Sequence, residues 1–246
     1  MTTPAFFIEG ENRPTRWLVT CDHASNRVPD EIGNASLGLP CDDMARHIAF
    51  DIGAAGVAKA LGTLLDAPVI LSNFSRLFID PNRGEDDPTL IMQLYDGTLI
   101  PENRSVNADE RMRRIETYYR PYHDAYAGLA KRQPDTVILS IHSFTPQLRN
   151  RPPRPWDVGV LFAHDQRLSD PVIRHLRAES DLTIGVNEPY TGHLPKDAVD
   201  RHGLQHNRLN ALIELRNDLI ETADQQMHWA MRLAPIFTNA LSETGC

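Results

Sequence analysis

Thr136-Val-Ile-Leu-Ser-Ile-His-Ser143 reads as a buried strand that runs straight into a histidine. An unbroken aliphatic run of this kind suits a strand covered on both faces, as in a parallel sheet. Trp17-Leu-Val-Thr-Cys21 has the same character and is followed by Asp22-His23. Working outward, Pro68–Leu71 and Leu77–Ile79 read as short extended pieces, and Val158–Phe162 and Leu212–Leu215 as further strands. Helical patterns lie between them. The first starts at Asp42 or Asp43, runs to about Leu65, and sets Met44, Ile48, Ile52, Val57, Leu61 and Leu64 on one side. A second spans Asp109 to Arg132 with a disturbance at Pro121, and a third runs from Ile220 to about Leu241. Strands separated by helices predict an α/β fold: a single-domain three-layer α/β/α sandwich over residues 1–246, with a mostly parallel, mixed central sheet. Arg149-Asn-Arg-Pro-Pro-Arg-Pro155 is a surface loop, too short to link two domains.

The composition narrows the partners. The chain has 246 residues, is 41% hydrophobic and carries a net charge of −8 with its acids spread along it. Binding to nucleic acid or an anionic membrane needs a basic surface, so neither partner is expected. The segment MTTPAFFIEGENRPTRW lacks the basic and apolar regions of a secretion signal, and no run approaches the roughly 20 apolar residues of a membrane helix. Cys21, Cys41 and Cys246 form neither a disulfide framework nor a CxxC metal site. A cytoplasmic protein with reduced thiols is the expectation.

In such sheets, ligands bind beyond the carboxyl ends of the strands. Polar clusters recur there: Asp22-His23, His142-Ser143, and Glu214 within Ile213-Glu-Leu-Arg-Asn-Asp218. Two imidazoles and a third ligand, with one position left for water, describe a catalytic zinc site. His47 and Asp51, four apart on the first helical pattern, would share a face and supply a ligand or its supporting carboxylate; a surface ion pair is the alternative. Ser75-Arg-Leu-Phe-Ile-Asp-Pro-Asn-Arg83 offers guanidinium forks and an amide, which suit a carboxylate ligand. An acid such as Glu214 amid apolar residues is costly unless paired or functional, and burial raises its pKa toward the range of a general base.

These motifs resemble a known family. Ser140-Ile-His-Ser-Phe144, Asp80-Pro-Asn-Arg83 and Glu214-Leu-Arg216 resemble, in order, the second-histidine segment, the carboxylate-binding Asp-x-Asn-Arg and the catalytic Glu-Leu-Arg of zinc carboxypeptidases. Across nearly the whole chain the sequence is similar to the N-formylglutamate amidohydrolase family. That likeness rests on Cys21-Asp-His-Ala-Ser-Asn-Arg-Val-Pro29, His47-Ile-Ala-Phe-Asp51-Ile-Gly, Ser75-Arg76-Leu and Asn187-Glu-Pro-Tyr190. The resemblance implies a carboxypeptidase/phosphorylase-hydrolase-like fold and a Zn2+ cofactor held by His23, His142 and a third ligand. Carboxypeptidases use a glutamate three residues after the first histidine; here that position is Asn26. His47 is therefore the preferred third ligand, with Asp51, Asn26 and Glu188 as the remaining candidates.

The resemblance further implies hydrolysis of an N-acyl amino acid with a free carboxylate, such as N-formylglutamate. Glu214 would act as acid and base, Arg76 would stabilise the oxyanion, Asn82 and Arg83 would hold the carboxylate, and Tyr190 would cap the substrate. A carboxypeptidase or cell-wall peptide amidase, and a non-catalytic metal- or ligand-binding relative, are the alternative readings.

Overall fold

The structure, a computed structural model, describes residues 4–30, 35–192 and 194–245. Cys246 lies outside the described residues; Cys21 is buried and Cys41 exposed, both as free thiols. The strands are β1 (Phe6–Glu9), β2 (Trp17–Cys21), β3 (Val69–Ser72), β4 (Leu94–Tyr95), β5 (Thr98–Leu99), β6 (Val137–Phe144), β7 (Val158–Leu161), β8 (Ile184–Val186) and β9 (Asn210–Arg216). The helices are α1 (Cys41–Met44), α2 (Ala54–Leu64), α3 (Ala108–Arg114), α4 (Arg120–Ala130), α5 (Ser169–Arg177), α6 (Ala198–His202) and α7 (Ala223–Glu243).

A mixed seven-stranded sheet in the order β1-β3-β2-β6-β9-β7-β8 forms the centre. Strands β3, β2, β6 and β9 are parallel, so their carboxyl ends share one edge. β1 is antiparallel to β3, and β7 to β9, while β8 runs parallel to β7. Every residue of β2 and β6 is buried, which explains their unbroken apolar reading. Alternate side chains go to opposite layers. Val19, Val69, Leu139 and Ile141 pack with α2, α5 and α7, and Leu18, Ile70 and Ile138 pack with the tyrosines of the other layer. Truncating one such side chain to alanine costs about 2–5 kcal/mol.

The expected helix from Asp42 or Asp43 to Leu65 is corrected to two, α1 and α2, parted by turns over 45–53. Gly53 causes the break: it adopts φ +79° at the start of α2, and a Cβ there would lie 2.1 Å from the Ile220 carbonyl oxygen. His47 and Asp51 thus do not share a helix face. The Asp51 amide instead donates to the His23 carbonyl (2.9 Å), which ties this loop to the end of β2.

The second long helix is present as α3, a π-helical turn over Ile115–Tyr119, and α4. The wide turn lies immediately before Pro121, which lacks the N–H a regular helix requires. Tyr118, Tyr122 and Tyr126, spaced by four, face the core together. Leu77–Ile79 is corrected from an extended piece to a turn, in which the Phe78 amide donates to the Ser75 carbonyl (2.9 Å). The closing helix begins later than expected, at a capping box between Thr222 and Gln225. Among the described residues no helix is long and apolar enough to cross a membrane.

Candidate functional site

The carboxyl edge of the sheet gathers a buried group of His23, Asp51 and His142, whose candidate ligand atoms lie within 4.8 Å of one another. His23 follows β2, and His142 lies near the end of β6. Asp51 reaches them from the loop before α2. Its Oδ2 is 2.8 Å from His142 Nδ1 and 3.3 Å from His23 Nδ1, and it accepts from the Ser143 amide at 3.3 Å. Two bonds of about 2.0–2.1 Å to one tetrahedral ion span about 3.3 Å, so these spacings suit a shared metal.

Buried partners fix both rings from behind. Asp80 accepts from His23 Nε2 (2.8 Å), from Arg76 Nη2 (2.9 Å) and from the Asn82 amide (2.8 Å). His142 Nε2 lies 3.1 Å from Ser140 Oγ and 3.4 Å from Asp22 Oδ2, and the Tyr122 hydroxyl donates to Asp22 Oδ1. With each Nε2 holding its proton against an acceptor, each Nδ1 presents a lone pair to the centre.

The charge balance favours a cation. Asp22, Asp51, Asp80 and Glu214 are all buried, and the guanidinium among them is that of Arg76. Four carboxylates against one guanidinium leave an excess of buried negative charge, which is offset by proton uptake on His142, raised against burial well above its usual pKa by Asp22 and Asp51, or by a divalent ion. Glu214 Oε2 has no hydrogen-bond partner, and Asp22 Oδ2 has only the 3.4 Å approach of His142 Nε2. Burial pushes the Glu214 carboxyl up to about 7, opposed by His142 and reinforced by the Asp51 charge. Burial also works against ionisation of Asp51, but His23 and His142 hold its pKa well below the usual carboxylate range. Two imidazoles with one carboxylate, beside an open pocket, are a donor set suited to catalytic zinc.

That pocket has a volume of about 280 Å³. Its lining includes His23, Asp51, His142, Glu214, Arg76, Asn82, Arg83 and Tyr190. Glu214 projects from β9 beside His142. Arg76 Nη1 lies 3.5 Å from Asp51 Oδ1, the guanidinium lies 5.3 Å from the Tyr95 ring centre, and its Nε has no partner. Asn82 Oδ1 accepts from the Ala198 amide (3.1 Å), leaving the NH2 group for a ligand. Arg83 donates to the Asn82 carbonyl (2.7 Å) and to Thr89 Oγ1 (3.1 Å). Tyr190 stands at the mouth, 37% exposed; Arg154 lies over its ring and donates to its hydroxyl at 3.2 Å.

The other nominated ligands lie outside the His–Asp–His group. His47 lines the pocket, with Nε2 3.5 Å from Asp96 and without a hydrogen bond; burial lowers its pKa, against the pull of Asp96. The structure groups Asp51, the second of the candidates named, with the two histidines and leaves His47 outside that group, because the 45–53 loop turns Asp51 inward. Asn26 is exposed, and its amide donates to the Met44 carbonyl (2.9 Å). Glu188 is exposed too, and its backbone carbonyl packs where a Cβ on Gly159 would come within 2.2 Å. Within the same motif Asn187, at φ +51°, accepts from the Phe162 amide (2.9 Å) and so directs the chain toward Tyr190.

Asp80 and Asp22 join the site behind the two rings without a role assigned to them by the sequence. The sequence signal for Asp80 is the Asp80-Pro-Asn-Arg83 motif, and that for Asp22 is its place beside His23.

The mixed sheet and the polar cluster at its carboxyl edge define a carboxypeptidase-like α/β fold with a candidate metal centre. A family model described as N-formylglutamate amidohydrolase matches residues 15–221, and the chain belongs to that family. It is similar to the structure of gene product Atu2144 from Agrobacterium tumefaciens, at 32% identity and TM-score 0.91, covering 99% of this chain and 97% of that one. It is also similar to N-formylglutamate amidohydrolase from Ralstonia eutropha JMP134, at 20% identity and TM-score 0.73, covering 98% and 100%. The fold is shared with a bacteriophage poly-gamma-glutamate hydrolase, at 12% identity and TM-score 0.51, covering 99% and 91%. No curated protein sequence matches the chain.

Proposed function

We propose that this chain is a zinc-dependent amidohydrolase that cleaves the amide bond of an N-acyl amino acid bearing a free carboxylate, with N-formylglutamate as the reference substrate. One observation carries the reading: a buried His23–Asp51–His142 group shares its pocket with Glu214, a carboxylate whose Oε2 has no partner.

His23 Nδ1, Asp51 and His142 Nδ1 would hold the zinc, which when bound supplies Lewis-acid polarisation and a lowered pKa for water. Asp80 and Asp22 orient the two imidazoles. Glu214 takes a proton from the attacking water and returns it to the leaving nitrogen, a role that suits a carboxyl held near neutrality by burial. Arg76, which lines the pocket and whose buried Nε has no partner, meets the charge that develops on the carbonyl oxygen. Asn82 and Arg83 bind the carboxylate and so align the scissile bond. Tyr190 covers the bound molecule from the mouth. Water adds across the C–N bond, giving a carboxylic acid, formate for a formyl group, and a free amino acid.

The test is metal analysis of the purified protein together with a product screen over N-formyl, N-acetyl and N-succinyl amino acids. Stoichiometric zinc with release of the acid from at least one series is the expected result. A zinc-loaded protein inert toward all three series would overturn the assignment.

A further inference from the structure

The pocket is not uniformly cationic. Arg76 and Arg83 lie on the segment after β3, but the wall at the start of α6 presents a carboxylate, that of Asp197. Asp197 is 6% exposed and lines the pocket. Its Oδ1 caps α6 by accepting from the Asp200 amide (2.7 Å). Among the described residues no lysine, arginine or histidine forms an ion pair with it, and the residue is part of the cavity lining.

Two further features give this acid a direction. Leu161 and Leu212 line the same pocket and, with Val199, form a small apolar cluster apart from the two main cores. The next residue, Ala198, is held by Asn82, the group assigned to the substrate carboxylate. An amino acid anchored at Asn82 therefore has its side chain within reach of Leu161, Leu212 and Asp197. Burial, with the nearby Asp22 and Asp200 charges, raises the Asp197 carboxyl to about 6, so it is largely ionised above neutrality. A buried anion with no ion-pair partner among the described residues, and only the charge of His142 acting on it from a distance, is costly until a donor reaches it, and a second carboxylate placed against it is repelled.

We propose that Asp197 is a specificity residue, selecting N-acyl amino acids whose side chain is an aliphatic stem ending in an N–H donor over those ending in a carboxylate. Leu161 and Leu212 take the stem and Asp197 takes the donor. The inference rests on reading the site as an N-acyl amino acid hydrolase, and it departs from glutamate as the preferred residue.

The experiment measures binding and turnover separately. Zinc-loaded Glu214→Gln protein, which retains the pocket, is titrated calorimetrically with N-formyl-lysine, N-formylglutamine and N-formylglutamate. A donor to a charged acceptor contributes enough for the first two to bind at least roughly 10-fold more tightly than the third. Adding Asp197→Asn, which keeps a good helix cap, should bring all three within about 3-fold, with the larger loss for lysine. Equal or tighter binding of N-formylglutamate, or a preference that survives Asp197→Asn, would overturn the proposal. Absence of binding by all three would overturn it as well. Turnover of the same compounds by the wild-type enzyme tests the hydrolase assignment independently. Donor-selective binding without any hydrolysis would remove that assignment and leave the selectivity in place.

Discussion

His142 on β6 and Glu214 on β9 are register partners, their Cα atoms facing each other across a parallel ladder. Partners in adjacent strands project their side chains on the same side of the sheet. The placement of the carboxylate beside the imidazole is thus set by backbone hydrogen bonds in the most buried part of the fold. A rigid setting of this kind is what a positioned proton carrier requires.

Glu214→Gln should lower kcat by about 10²–10⁴-fold. Zinc content should stay near that of the wild type, since Glu214 is not among the three grouped ligands. Steady-state kinetics paired with metal analysis checks this, and a kcat near the wild-type value would exclude Glu214 as the base.

Asp51→Ala and His47→Ala should separate cleanly. The first removes a carboxylate in contact with both rings and should abolish stoichiometric zinc binding; the second should leave it intact. Asp80→Asn should weaken zinc affinity by about 10–100-fold, as loss of an orienting partner does. Competition with a chelating dye reads all three, and retention of zinc by Asp51→Ala with its loss from His47→Ala would reverse the ligand assignment.

Arg83→Ala should act mainly through KM. A hydrogen bond to a charged group contributes about 1.5–3 kcal/mol, which corresponds to roughly a 10- to 100-fold rise. The kcat should change less, because the contact is made in ground and transition states alike. A pure kcat defect would place Arg83 in the chemistry instead.

Stability should depend on pH through a buried histidine pair. His123 Nε2 donates to the Pro81 carbonyl (3.0 Å), and His202 Nε2 then donates to His123 Nδ1 (2.9 Å), with His202 stacked on Tyr126. Burial, with Arg201 beside it, lowers the His202 pKa to about 3. Its unfolded value is about 6.5, so between these values the unfolded chain holds more protons and stability falls as pH drops. At pH 5 the His202 contribution lost is about 2 kcal/mol. Glu214 and Asp197, raised to about 7 and about 6, gain protons in the folded state over the same range and oppose this loss, so urea unfolding of metal-free protein at pH 7.5 and 5 should reveal it as the difference between wild type and His202→Phe. An unchanged difference between the two pH values in the variant would exonerate His202.

The strand ends were legible because unbroken aliphatic runs stop abruptly on His23, His142 and the Glu214 segment, and a sheet gathers such ends at one edge. The route of Asp51 was not legible. Ile48, Ile52 and Val57 have helical spacing, and what interrupts the helix is the contact of Gly53 with Ile220, far away in sequence. Strands β1 and β8 are short and only partly buried, so Phe6-Phe-Ile8 and Ile184-Gly-Val186 are apolar runs too brief to stand out as strands. Asp197 carries little sequence signal for a related reason: it caps a five-residue helix whose pattern is too short to stand out.

The π-helical turn at Ile115–Tyr119 has a consequence for how this chain tolerates insertion and deletion. Such a turn amounts to one extra residue spliced into a continuous helix. Removing a residue there would let the backbone relax into an ordinary helix with the segment beyond near its present orientation, because the wide turn already absorbs the roughly 100° that one extra residue would add. A second added residue has no such outlet, and it would swing Tyr122 off Asp22 and His123 off Pro81. An insertion invisible to a measurement of helix content would thus loosen the acid behind His142. The stretch Ile-Glu-Thr-Tyr-Tyr, well outside every motif that marks the site, should therefore accept a one-residue deletion and resist an insertion.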